Sequence, residues 1–252
     1  MMRVYLAVTP DQLRSASRYT RSIAHMAYHI SQDGRLIKDG QLRTPSGILV
    51  LSDHNCGPIQ APAMLCRDVW MECAGRGCGS VLADFELPLS EDRSSFLQKL
   101  AQILARNGRR LFVPEHYGED VSHASVLICT ALSGGCLSQR LEEAKQHFGP
   151  RLALDLQRLR MSFPLPCPSG EGSPMTASDL QKLMETQQPA VFFSPDLCAK
   201  YFTYICGDAI RFVLFDDAET LRKKIHMGRE LGIHTGFMLY PETEDLLPQL
   251  FQ

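Results

Sequence analysis

Eight apolar runs of strand length, most of them separated by stretches of helical periodicity, constrain this chain more than any other feature. They lie at residues 3–8, 23–30, 48–53, 80–86, 110–114, 125–130, 152–159 and 235–240. Runs of this kind suit parallel strands covered on both faces, with the intervening helices as crossovers. Residues 91–107 carry the helical period plainly: Phe96, Leu97, Leu100, Ile103 and Leu104 form one stripe, and Gly108 follows as a stop signal. Residues 137–148 and 218–231 read the same way, the second closed by Gly232. Eight strands is a number that closes into a cylinder filled by its own side chains. The expected fold is therefore α/β, a (β/α)8 TIM barrel, and 252 residues is an ordinary length for one such domain spanning 1–252.

Two stretches break the rhythm. Residues 32–46 contain Asp33-Gly34 and Asp39-Gly40, turn chemistry suited to a small hairpin after the second strand. Residues 164–172 are rich in Pro, Ser and Gly and read as a loop, followed by a helical segment at 177–185. Short strands are then expected at 190–194, 201–205 and 210–215. This excursion, residues 164–215, is placed between the seventh and eighth barrel strands as a small inserted α+β subdomain.

Composition narrows the function classes. A net charge of −2 with no Lys or Arg block gives no source for the counterion release that drives nucleic-acid binding, so no nucleic-acid partner is expected. No apolar run approaches 18 residues, and the chain opens on a strand-like segment, so no membrane span and a cytoplasmic location are expected. Nine cysteines, an odd number in a chain this large, read as reduced thiols. Cys66, Cys73 and Cys78 cluster around one helix without CxxC or HxxxH spacing. His29, His54 and His116, with Asp53 or Glu115, could meet at a metal only across long sequence separations, so no metal or cofactor is expected.

In a parallel barrel the C-terminal strand ends converge on one mouth. The fourth run ends Ala83-Asp84-Phe85-Glu86, which places Asp84 and Glu86 on one side of a strand and Phe85 on the other. Two carboxylates so close repel when both are ionised, which raises one of them toward the range of a general acid. The plainer alternative is two solvated carboxylates at a strand exit. Tyr28, Asp53, Glu115, His116, Arg158 and Tyr240 stand at other strand ends as candidate substrate-binding residues. Together they make a mouth of both charge signs, suited to a polar ligand.

The segment Gly79-Ser-Val-Leu-Ala-Asp84-Phe85-Glu86 resembles the fourth-strand motif of the family 18 glycoside hydrolases, Asp-Gly-x-Asp-x-Asp-x-Glu. Only the closing Asp-x-Glu matches; Leu82 replaces the earlier Asp, and Gly79-Ser80 replaces the opening pair. A second likeness runs from Phe212 through Asp216-Asp217 and Lys224 to Gly232, Gly236 and Tyr240, similar to the family's closing strand, helix and strand. That order also resembles the branch acting on spore cortex and peptidoglycan. The resemblance implies a barrel in which Glu86 protonates a leaving oxygen and Asp84 assists. It also implies a Tyr and an Asp at the sixth strand end, where Cys129-Thr130-Ala131-Leu132 has neither, and a Trp where Tyr240 stands. The only Trp, Trp70, falls in a helical stretch.

Two functions are therefore expected in contention: a glycosidase acting on an N-acetylhexosamine-containing glycan, or a catalytically inactive barrel binding carbohydrate or a protein partner. A metal-assisted hydrolase built on His54 and His116 is a more distant third. The sequence leaves the oligomeric state open.

Overall fold

The computed structural model of the chain describes residues 2–40, 46–207 and 209–251. Its fourteen strands are β1 (Arg3–Val8), β2 (Ile23–Ile30), β3 (Leu36–Lys38), β4 (Ile48–Ser52), β5 (Ser80–Asp84), β6 (Arg110–Pro114), β7 (Ser125–Cys129), β8 (Leu152–Asp155), β9 (Arg160–Leu165), β10 (Ser173–Pro174), β11 (Phe192–Ser194), β12 (Ala199–Cys206), β13 (Ala209–Phe215) and β14 (Thr235–Leu239). The α-helices are α1 (Leu13–Ala16), α2 (Pro62–Gly75), α3 (Glu91–Arg106), α4 (Leu137–Phe148), α5 (Ala177–Gln187), α6 (Ala218–Glu230), α7 (Tyr240–Thr243) and α8 (Leu247–Leu250).

Eight parallel strands close into a ring in the order β1, β2, β4, β5, β6, β7, β8, β14, and β14 pairs back with β1. This is the expected (β/α)8 barrel. Its interior is filled rather than hollow: Tyr5, Ala7, Ala24, Met26, Ile48, Val50, Leu82, Phe112, Leu127, Ala153 and Phe237 pack together. Small alanines opposite large rings let the plug interdigitate, with Phe112 and Phe237 meeting edge-on at 5.0 Å between centroids. Alternate residues of the same strands face outward onto the helices, as Val81, Ala83 and Phe85 do toward Phe96, Leu97 and Leu100 of α3. A ligand can therefore enter only at the rim.

The hairpin expected after the second strand is present as β3, antiparallel to β2, with Gly34 at φ +74° in the connecting turn. Residues 41–45 of that stretch lie outside the described residues. Between β8 and β14 the chain builds a second sheet, antiparallel, in the order β10, β9, β13, β12, β11. Apolar groups fill both its faces: Leu159, Phe163, Ala199 and Leu214 on one, and Phe202, Val213 and Phe215 with Leu180 of α5 on the other.

The seventh barrel strand is shorter than the expected 152–159. It stops at Asp155, and the chain then enters the second sheet at Arg160. The reason is a buried clamp at the junction. The Leu159 amide donates to Asp216 Oδ2 at 3.0 Å, and Lys224 Nζ and Thr220 Oγ1 donate to the same carboxylate at 2.7 and 2.8 Å. Asp216 and Lys224 are both 0 % exposed. Strand β9, absent from the sequence reading, follows from this early departure.

Asp217 caps α6. It accepts from the Thr220 amide at 3.0 Å while its own amide donates to Thr220 Oγ1 at 3.0 Å, a reciprocal box. Asp217→Ala is expected to cost about 1 kcal/mol by urea denaturation, the usual value of such a cap. A loss below a few tenths would show the box to be idle.

Candidate active site at the barrel mouth

Strand alternation decides which side chains reach the mouth. On β5, Leu82 belongs to the interior plug and Asp84 stands one step above it, facing the same way. Phe85 turns outward against Phe96 and Tyr117. Glu86 lies just past the strand end, exposed. Burial raises the Asp84 carboxyl above its ordinary value, and the charges of Glu86 and Asp53 push it the same way.

The same parity on β8 places Asp155 above Ala153, with Leu154 and Leu156 facing out. Burial, then the charge of Asp84, raises its carboxyl to about 6. Asp155 was not among the residues singled out from sequence, because one carboxylate inside Leu-Ala-Leu-Asp-Leu reads as an ordinary strand-end residue. Its two-residue spacing from Ala153 was the available signal. On β7, Leu127 faces the plug and Cys129 stands above it. The Cys129 thiol donates to Gln157 Oε1 at 3.3 Å, and burial raises its pKa.

Beside Asp84 an open groove of about 540 Å³ is lined by Thr9, Met26, His29, Ser52, His54 and Asp39, among others. None of its described lining residues is a lysine or arginine. His29 Nδ1 sits 2.8 Å from Asp39 Oδ2.

Several expected binding residues make contacts within the scaffold. Asp53 is 0 % exposed and accepts from the amides of Glu86 at 2.9 Å and Leu87 at 3.3 Å, with Arg93 Nε at 3.4 Å. It shapes the turn that carries Glu86 rather than meeting a ligand. Tyr28 borders the groove, but a register shift between Met26 and Tyr28 aims its hydroxyl at Glu72 of α2, 2.8 Å away. Tyr240 is 2 % exposed, packs on the outer layer and donates to Glu244, so the mouth-facing residue of β14 is Leu239. Arg158 donates to the carbonyls of Asp216 and Glu242 and pairs with Asp245 at 2.6 Å. Glu115 is paired with Arg140, while His116 is exposed against the Tyr117 ring. Trp70 lies on α2 beneath the Arg109 guanidinium, 4.8 Å from its ring centre, away from the mouth.

The described residues contain no group of three or more His, Cys, Asp or Glu side chains arranged for a metal. Nor does any described helix have the length and apolarity to cross a membrane. All nine cysteines are free.

No protein-family model and no curated protein matches the sequence. Solved structures do match. A chitinase from Chromobacterium violaceum ATCC 12472 superposes with a TM-score of 0.74 at 15% identity, over 99% of this chain and 98% of that one. The spore cortex-lytic enzyme SleL of Bacillus megaterium QM B1551 gives 0.71 at 14%, over 100% and 74%. A mutant class V chitinase from Nicotiana tobaccum, solved in complex with NAG4, gives 0.70 at 11%, over 99% of each. With eight parallel strands closed into a ring and these neighbours spanning nearly its whole length, the chain has the family 18-like, chitinase-like barrel fold.

Proposed function

We propose that the chain is a glycoside hydrolase acting on a glycan that contains N-acetylhexosamine, with Glu86 as general acid and Asp84 as the carboxyl that assists it. One observation carries this reading: the two residues follow each other at one strand end, Asp84 lines an open groove, and burial and the nearby Glu86 raise the Asp84 carboxyl above its ordinary value. Raised in this way, Asp84 takes up a proton more readily than an ordinary carboxylate, which suits a group that assists a neighbouring acid. The fold shared with chitinases and a cortex-lytic enzyme supports the substrate class. The free thiols fit a reducing, cytoplasmic compartment.

Glu86→Gln should lower turnover of chitooligosaccharides or peptidoglycan fragments by about a hundredfold, the usual share of a general acid, while binding persists. Product is followed by chromatography. Unchanged turnover would remove Glu86 from the chemistry.

A second reading, carbohydrate binding without cleavage, is favoured by the sixth barrel strand. There Cys129 faces the mouth, and the Thr130 hydroxyl is spent on the Asp155 carbonyl at 3.1 Å. No phenol stands at that strand end to support an attacking acetamide. Measurable affinity by calorimetry with no product from the unsubstituted protein would select this reading.

A further inference from the structure

We propose that the glycan taken at the mouth carries a carboxylate substituent, received by a second pocket between the barrel rim and the inserted sheet. This rests on the glycan-directed reading above and narrows it.

This pocket, of about 690 Å³, lies where the exits of β8 and β14 meet the start of α5. Gln157 sets it beside the mouth, since it lines the pocket and accepts from Cys129, the thiol above the plug on β7. Two guanidinium groups stand in the wall, Arg158 and Arg160, with side chains only 5 % and 9 % exposed. Both converge on the Glu242 carbonyl, Arg158 Nη1 at 3.0 Å and Arg160 Nη1 at 3.4 Å. Two buried cations this close repel each other unless anions offset them. Among the lining residues only Glu242 is acidic, and it is paired with Arg160. Asp245, the acid that pairs with Arg158, lies outside the wall and is half-exposed.

One donor in this wall is left over. Arg158 spends Nε on the Asp216 carbonyl at 3.3 Å and Nη1 on Glu242 and Asp245, while Nη2 takes no hydrogen bond among the described residues and is not sealed from solvent. A buried guanidinium ordinarily satisfies each nitrogen that it hides, so an open and unpaired Nη2 is the donor that the pocket offers a ligand. Arg160 Nε donates to the Met175 carbonyl at 3.1 Å, which ties this cation to the entry of α5. Thr176 and Ala177 open that helix and line the same wall, so the positive end of its dipole lies there too. A free nitrogen on a fixed cation, beside a helix N-terminus, is the donor set of a carboxylate site. A hydroxyl or an acetamide carbonyl would take the hydrogen bond without the charge assistance.

The test is calorimetric titration of the intact protein, at neutral pH and low salt, with an N-acetylglucosamine tetramer, with the same tetramer oxidised at C6 to carboxylates, and with the methyl ester of the oxidised form. The oxidised tetramer is expected to bind about tenfold more tightly than the other two, as a charge-assisted contact warrants. Arg158→Gln should shrink that ratio to about twofold or less. Should that variant not fold, Ala177→Asp makes the same test, because an acid suits the first turn of a helix but repels a carboxylate in the pocket. A preference that survives in either folded variant, or an acid that binds no more tightly than its ester, would overturn the carboxylate inference while leaving a glycan-binding mouth. Binding of none of the tetramers would overturn both.

Discussion

Lys224→Met is expected to lower folding stability by about 3–5 kcal/mol, the usual consequence of removing one partner of a fully buried ion pair. Lys224 Nζ lies 2.7 Å from Asp216 Oδ2, and neither side chain reaches solvent. The substitution leaves a carboxylate sealed in a low-dielectric interior with only Thr220 and the Leu159 amide to support it. Three parts of the chain meet there: the exit from β8, the end of β13 and helix α6. In a chain of this size the loss corresponds to a fall in Tm of roughly 10 °C. The double variant Asp216→Leu, Lys224→Met should recover much of it, because it removes both charges instead of stranding one. A single variant that melts within 2 °C or so of the parent would mean that the insertion is held to the barrel by apolar packing alone.

The same junction explains what the sequence conveyed and what it withheld. Periodicity located the helices well, since an amphipathic stripe is a local property: α4 covers Leu137–Phe148 as expected, and α3 ends within one residue of its expected boundary. Strand ends are not local. Leu156 and Leu159 are as apolar as Leu152 and Leu154, so nothing in composition ends the seventh strand at Asp155. A carboxylate some sixty positions downstream does so, by taking the Leu159 amide.

Parity explains the site residues in a similar way. The inward side of Asp84 was legible because β5 is regular through that residue, whereas Glu86 lies past the strand end, where strand parity no longer fixes a side chain's direction. Tyr28 lines the groove, but the register shift just before it turns its hydroxyl toward Glu72 of α2, which strand parity alone does not foretell. Tyr240 was placed at the mouth by likeness to a family position. Counting from Phe237 in the plug puts Leu239 there and Tyr240 among the outer layer. Asp53 sits at a strand end, as expected, but two backbone amides and Arg93 already claim it. Position along a strand could nominate it; only the tertiary hydrogen bonds could reassign it.

Asp155→Asn is expected to make the protein more stable at pH 8, and that gain identifies the mouth as a place where the fold tolerates strain. Burial and the neighbouring Asp84 raise the Asp155 carboxyl to about 6, so the folded state holds this proton more tightly than the unfolded chain does. An acid shifted upward contributes its stability below the unfolded value of about 4 and loses it as the pH climbs through about 6. Above that point the ionised group works against folding by ~3 kcal/mol, the shift expressed as free energy. Asparagine fills the same space and never ionises, and it also relieves Asp84 of an opposing charge. Urea denaturation should therefore show the variant ahead by ~3 kcal/mol at pH 8 and nearly level with the parent at pH 4. An equal gain at both values would trace the effect to packing, not charge. A carboxylate that weakens its own fold at neutral pH is one that a search for stability alone would replace.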